Sequence, residues 1–251
     1  MPDTPTLITD WKAQSLRLTA FLSPSARVGE QDWWTMLTGD IPDSKISQPK
    51  IGVQKQEGKF KNEKVDGQLV LTVQPSRIDW QLISLEVPDS GFPAIGLFAE
   101  SVESFSELIV QWLHNAPSIQ RLAFGAILNQ STASSQEGYE KLSKYLTFDL
   151  DKDSSEFLYQ INRPRKSQNL NLDLIINRLS RWSVNLLAGL ILSPNEMSGY
   201  SLRLPDFALS LELDINTAAD FSGELHPYKL SEIFQELVKL GQEVANKGDI
   251  K

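Results

Sequence analysis

Cysteine is absent from the chain, which excludes a disulfide framework, a thiolate nucleophile and a thiolate metal site. Histidine is nearly as scarce. The two present, His114 and His226, stand in no HxxxH, HxH or HExxH spacing, so the sequence builds no metal site on them. The 14 glycines are scattered through turns, with no GxGxxG, P-loop or GxSxG run, and a phosphate cradle needs glycines clustered ahead of a helix N-terminus. Long apolar runs are missing too: VNLLAGLIL at 184–192 falls far short of the ~20 residues that cross a bilayer. The opening MPDTPTLITDWKAQ lacks a basic segment followed by an apolar one, so no signal peptide is expected. Positive charge is also in deficit. Lys and Arg number 24 against 32 Asp and Glu, a net charge of −8; that balance favours solubility and opposes general phosphate-backbone binding. These absences lead us to expect a cytoplasmic protein with no cofactor, no metal and no membrane or nucleic-acid attachment.

What is present is material for a core. A chain of 251 residues, 41% of them hydrophobic, can bury roughly 70–75% of the surface that its unfolded form exposes. QSLRLTAFL (14–22) alternates like a strand, and GEQDWWTMLTG (29–39) fits a short helix closed by Gly39. IPDSKISQPK reads as a loop, KIGVQKQ (50–56) alternates, and EGKFKNEKVDG reads as a polar turn. QLVLTVQ (68–74) and RIDWQLISLEV (77–87) are period-2 runs split at Pro75-Ser76. SVESFSELIVQWLH (101–114) has helical spacing with Ser101 as the expected N-cap. A similar order follows. IQRLAFGAILN (119–129) reads as a strand, SSQEGYEKLSKYL (134–146) as a helix and EFLYQINR (156–163) as a strand. LDLIINR (172–178) and RWSVNLLAGLIL (181–192) read as an adjoining strand pair, followed by strand-like YSLRLP and FALSLELDIN. PYKLSEIFQELVKLGQEVANKG (227–248) carries the clearest amphipathic helix.

ESFSELIV (103–110) and EIFQELVK (232–239) share the pattern Glu-x-Phe-x-Glu-Leu-aliphatic. SLRLTAF and IQRLAFG align at an offset of about 104, as do SRIDWQL (76–82) and SRWSVNL (180–186), whereas the closing helices align at about 129. That difference places an insertion around SPNEMSGYSLRLPD. The expectation is an α+β fold of two internally duplicated β-α-β(3–4)-α units, 1–116 and 117–251. They would form curved antiparallel sheet covered on one face by helices. In element order such a tandem resembles the TATA-box-binding-protein arrangement.

Few residues offer chemistry. Glu212 and Asp214 stand two apart in LELDIN and would share one face of a strand, where paired carboxylates could do acid–base work or line a pocket between sheet and helices. Asp149, Asp151 and Asp153 alternate but lack the glycine and glutamate of a calcium loop. The densest basic segment is INRPRKS, with Arg163, Arg165 and Lys166, near Arg178 and Arg181; it could meet an acidic partner. Trp34 follows Trp33, and if one of that pair is exposed it is a candidate partner anchor.

The pieces LVLTVQPSRIDWQ, the helix ending in QWLH, RLAFGAILN and LELDIN ahead of a closing helix cover about residues 15 to 245. In them the chain resembles a sporadically distributed family of uncharacterised bacterial proteins. That resemblance implies no activity and transfers no functional residue; a sporadic distribution suits genes of defence or immunity cassettes. The sequence reading is therefore a non-enzymatic interaction protein. A protein partner would be held near Trp34, Arg163, Arg165, Lys166 and Arg181, and free strand edges would permit a homodimer. The alternative is an enzyme or small-ligand binder with a cavity between sheet and helices.

Overall fold

The structure, a computed structural model, describes residues 10–28, 31–84, 91–168, 174–187, 190–192, 200–202, 206–221 and 225–249. The first half contributes β1 (Lys12–Leu22), α1 (Trp33–Thr38), β2 (Ser44–Gln48), β3 (Val53–Lys61), β4 (Asp66–Gln74), β5 (Arg77–Ile83), β6 (Gly96–Leu97) and α2 (Phe98–Leu113). The second contributes β7 (Ile119–Thr132), α3 (Ser135–Ser143), β8 (Leu158–Asn162), β9 (Arg165–Lys166), β10 (Ile175–Leu187), β11 (Leu190–Leu192), β12 (Tyr200–Leu202), β13 (Asp206–Thr217) and α4 (Leu230–Lys247).

Eleven strands form one antiparallel sheet. Its order is β2-β3-β4-β5-β1-β7-β13-β10-β8, with β6 beside β1 and β9 beside β10, while β11 and β12 pair with each other. The boundary expected at 116/117 falls between α2 and β7, and the sheet runs unbroken across it through the β1–β7 ladder. Period-2 alternation explains why one face is buried. Leu16, Leu18 and Ala20 of β1, Leu122, Phe124 and Ala126 of β7, and Leu211, Leu213 and Ile215 of β13 are all in the core. Each such side chain contributes about 1.5–3 kcal/mol when it leaves water. The helices cover this face with matching stripes: Val102, Phe105, Ile109 and Trp112 on α2, and Ile233, Phe234, Leu237 and Val244 on α4.

Aromatic rings fill the space between the layers. Trp34 stacks on Trp80 at 6.2 Å between centroids, Trp112 meets Trp80 at 6.3 Å, and Trp33 meets Trp112 edge-on at 5.8 Å. In the other half Tyr145 stacks on Trp182 at 5.2 Å and tilts against Trp11 at 5.6 Å. The Trp11 indole also donates to the carbonyl of Ala245 at 2.9 Å, fixing the end of α4 to the start of β1.

Several expectations are met. Asp32 caps α1 by accepting from the Thr35 N–H, and Gly39 closes it at φ 74°. The helix over 230–247 ends at Gly248. Four readings are corrected. The expected loop IPDSKISQPK contains β2, an edge strand whose one large apolar side chain, Ile46, faces solvent; backbone pairing with β3 holds it, and backbone pairing leaves no hydrophobic pattern. The expected polar turn EGKFK belongs to β3. Gly58 sits there because a Cβ would lie 2.7 Å from the Trp34 ring. α2 begins at Phe98 rather than at Ser101, because the Phe98 N–H is held by the Trp11 carbonyl at 2.8 Å and Ser101 is buried in the first turn.

The fourth correction concerns β10, which runs without a break from Ile175 to Leu187, so the expected division into two strands is replaced by one. SRIDWQL and SRWSVNL also take unlike places. β5 adjoins β1, whereas β10 is separated from β7 by β13. Of the SPNEMSGYSLRLPD segment, positions 193–199 and 203–205 lie outside the described residues, as do 172–173 of LDLIINR.

Candidate functional site

Among the described residues the four α-helices pack on one face of the sheet and no helix covers the other. The strand registers bring two rows of side chains together there. In one row Gln81 of β5 lies beside Arg17 of β1, then Gly125 of β7, Asp214 of β13 and Leu179 of β10. In the adjacent row stand Ile83, Ser15, Ile127, Glu212, Arg181 and Gln160. Together they line an open groove of about 430 Å³ across the middle of the sheet.

The groove is deepest in side-chain terms at Gly125. The Arg17 guanidinium lies beside this position: a Cβ there would be in ordinary contact with it, 3.4 Å from two of its nitrogens. Arg17 is exposed, and among the described residues it makes no hydrogen bond or ion pair. Arg181 faces Glu212 at 3.6 Å with both side chains nearly half exposed, an arrangement that contributes little to stability. The Asp214 carboxylate accepts from the Asn216 amide at 3.0 Å. Around the groove the polar groups are tied together. Asp79 accepts from Thr19 at 2.6 Å and pairs with Arg77 at 2.9 Å. Arg121 donates to the Thr217 carbonyl at 2.8 Å and to the Asn216 side chain at 2.9 Å, and lies over the Phe21 ring at 4.9 Å. The cation in the middle is thus uncommitted while its neighbours are fixed.

The basic segment singled out in the sequence is placed differently. Arg163 donates through two nitrogens to Asp249, both at 2.8 Å, and Tyr159 donates to the same carboxylate at 2.7 Å. Arg165 pairs with Glu243 at 2.9 Å. Arg178 is buried, and burial pushes its guanidinium down from the usual arginine range; it donates to the Arg163 carbonyl at 2.9 Å. The next turn is fastened as well: the buried Glu236 accepts from Ser167 at 2.6 Å and from the Gln168 N–H at 2.9 Å. These contacts form a clasp that ties β8, β9 and β10 to α4 and the residues just after it, so Arg163 and Arg165 are engaged within the chain. Lys166 is exposed on β9 opposite Ile175.

Trp34 requires a correction. It is 2% exposed, wedged between Trp80 and Gly58, and cannot present its ring to a partner. Of the five expected contact residues, Arg181 alone lines the groove. Glu212 and Asp214 do share one face of their strand, but it is the open face and not the side beneath the helices. Asp149, Asp151 and Asp153 lie in an exposed loop, and His226 caps the turn before α4 by accepting from the Tyr228 N–H at 3.3 Å. Among the described residues no group of three or more His, Asp or Glu is placed to hold a metal ion, and no helix is long and apolar enough to cross a membrane. Arg17 and Gly125 were not singled out in the sequence. The available signals were a charge on the polar side of an alternating run and a glycine inside a strand, which marks close approach of another group.

The clasp makes a pH dependence. Arg163 and then Tyr159, by donating to Asp249, hold its carboxyl below the usual carboxylate range against the opposing effect of burial. The stabilisation is complete above the unfolded-state value of about 3.9 and declines as the pH falls below it toward the lower folded value. Urea unfolding at neutral pH and near pH 3 should therefore show a larger acid-induced loss for the native chain than for Asp249→Asn. Equal losses would remove the clasp from the account of acid stability. Comparison of the chain with protein-family models, with curated proteins and with solved structures gives no match.

Proposed function

We propose that this chain is a non-enzymatic binding protein that holds a protein partner on the helix-free face of its sheet, with Arg17 as the central anchor. The observation that carries the reading is the exposed guanidinium lying over Gly125, in a groove whose other ionic groups are already paired or hydrogen-bonded. Desolvated arginines with apolar neighbours are common binding anchors, and Ile83, Ile127 and Leu179 supply such neighbours. The matching feature is a carboxylate on an extended segment of the partner, which can form a two-point pair with a guanidinium.

The test is affinity capture from host extract with the native chain and with Arg17→Glu. A protein retained by the native chain and reduced at least tenfold by Arg17→Glu is the expected result. A partner that binds both equally, or repeated capture of none, would overturn the reading. Placement in a defence or immunity cassette is a further proposal, about context, and rests on the family resemblance; the identity of the neighbouring genes tests it.

We also infer that the two halves descend from one copied unit, as in the TATA-box-binding-protein arrangement. The support is the way the sheet grows outward from its centre. β1 and β7, each the first strand of its half, are antiparallel neighbours, and Thr19 faces Ala123. Outward from that pair come Asp79 and Asn216, on the last long strand of each half, and then Thr72 and Asn177. α2 and α4 follow those last strands and touch each other. The added length of the second half lies between β10 and β13, where the sequence offsets put it. An experimental structure whose halves cannot be overlaid strand for strand on this correspondence would refute the copying.

A further inference from the structure

We propose that β2 is the interface of a symmetric homodimer, in which Ser44–Gln48 pairs antiparallel with the same strand of a second copy about a twofold axis at Ile46. This inference is independent of the groove reading, because β2 is at the far edge of the sheet from it.

The first ground is the free edge. β2 ends the strand order and pairs only with β3, so one side of its backbone has no strand partner among the described residues. A row of unpaired N–H and C=O groups recognises another extended strand. The second ground is the side chains along that edge. Ile41 is 83% exposed, Ile46 49% and Ile51 60%. One exposed isoleucine needs no explanation; here Ile46 lies on the edge strand itself and two more flank it, Ile41 before it and Ile51 in the 3-10 turn Pro49–Ile51 that follows.

The third ground commits the partner to a second copy. Antiparallel pairing centred on Ile46 sets Ile46 against itself, Lys45 against Ser47 and Ser44 against Gln48. No like charges meet, and apolar cross-strand pairs of this kind stabilise a sheet. Moving the axis by one residue to Lys45 would set two ammonium groups directly opposite, which is unfavourable. The ends of the ladder are marked as well. Pro42 and Pro49 flank the strand and bring no N–H to a ladder, and the Asp43 carboxylate already accepts from the Lys59 N–H at 3.0 Å. The pairing is thus confined to the five residues of β2, and its twofold symmetry makes it closed.

The absence of cysteine makes the register directly testable in the full-length chain. Sedimentation of the native chain over a roughly hundredfold concentration range should show a species of about twice 28.2 kDa, as mass action requires of a reversible dimer. Ile46→Lys should shift it to monomer with an unchanged circular dichroism spectrum. Ile46→Cys should oxidise to a covalent dimer, because directly opposed strand positions come within disulfide reach. Lys45→Cys alone should cross-link at least tenfold less than the double variant Lys45→Cys/Ser47→Cys, whose positions the register sets opposite each other. A monomer at every concentration would overturn the proposal. So would cross-linking through Leu158→Cys, on the opposite edge strand β8, in preference to Ile46→Cys.

Discussion

Replacing Trp80 with alanine should destabilise the fold by about 3–5 kcal/mol, the range for emptying a large aromatic site in a core. Trp80 is fully buried, and its two strand neighbours, Leu18 on β1 and Leu71 on β4, are buried too. Its ring stacks on Trp34 and meets Trp112 edge-on, so truncation removes a contact shared by α1 and α2. The sheet cannot collapse into the space, because its spacing is set by backbone hydrogen bonds on both sides. Trp80→Phe should lose less than half as much. The Trp80 indole N–H meets no acceptor among the described residues, and removing an unpaired buried donor recovers part of its desolvation penalty, about 1–3 kcal/mol. Urea midpoints of the two variants at one pH provide the comparison. A similar loss for both would mean that volume alone decides this site.

The second large effect is expected at Gly248. Its backbone has φ 79° and ψ −156°, a region open essentially to glycine alone and worth about 1–3 kcal/mol when another residue is forced into it. The obstruction is also direct: a Cβ there would stand 2.2 Å from the Tyr145 carbonyl oxygen and 2.7 Å from the carbonyl carbon. Backbone of that kind does not move aside. The Asp249 N–H donates to the same Tyr145 carbonyl at 2.8 Å, so Gly248→Val should unseat Asp249 from Arg163 and Tyr159 together. The expected result is a larger loss of stability than Asp249→Asn produces, with faster proteolysis after α4. If Gly248→Val unfolds at the same urea concentration as the native chain, the close approach to Tyr145 is not maintained in solution.

These two sites also show what a sequence can and cannot disclose. Alternation in SLRLTAF and IQRLAFG was enough to identify β1 and β7, because each buries one face and exposes the other. The helix over 230–247 was legible for the same reason at a period of 3.6. β2 was not: SKISQ buries no side-chain face, and its strand character comes from hydrogen bonds to β3 that leave no pattern. The unbroken course of β10 through SRWS was hidden because Arg178 and Ser180 are polar residues on the buried face. Arg178 is tolerated there by Glu243 of α4, 3.9 Å away and more than 60 residues on in sequence, and by the Arg163 carbonyl that it donates to. The groove was the least legible feature. Its lining comes from six strands, and a row such as Gln81, Arg17, Gly125, Asp214 exists only once the registers are known. Trp34 was misread because a six-residue helix ordinarily buries one of two adjacent rings, whereas here both are buried: Trp33 meets Trp112, and Trp34 fits between Trp80 and the missing side chain at Gly58.

The central ladder has a consequence for how the molecule is made. β1 lies near the start of the sequence, but the strand that covers one of its edges, β7, comes only after α2, and β7 in turn waits for β13. A chain emerging from the ribosome therefore carries an open seam for the time that some hundred residues take to synthesise, at roughly 5–20 residues per second. During that interval the first half can form β2 to β5 around β1 and dock α2, yet it must present Leu16, Leu18 and their backbone beside an unfilled position. Nascent chains on neighbouring ribosomes could close each other's seams, so production in the cell should depend on chaperone supply more than the stability of the finished protein would suggest.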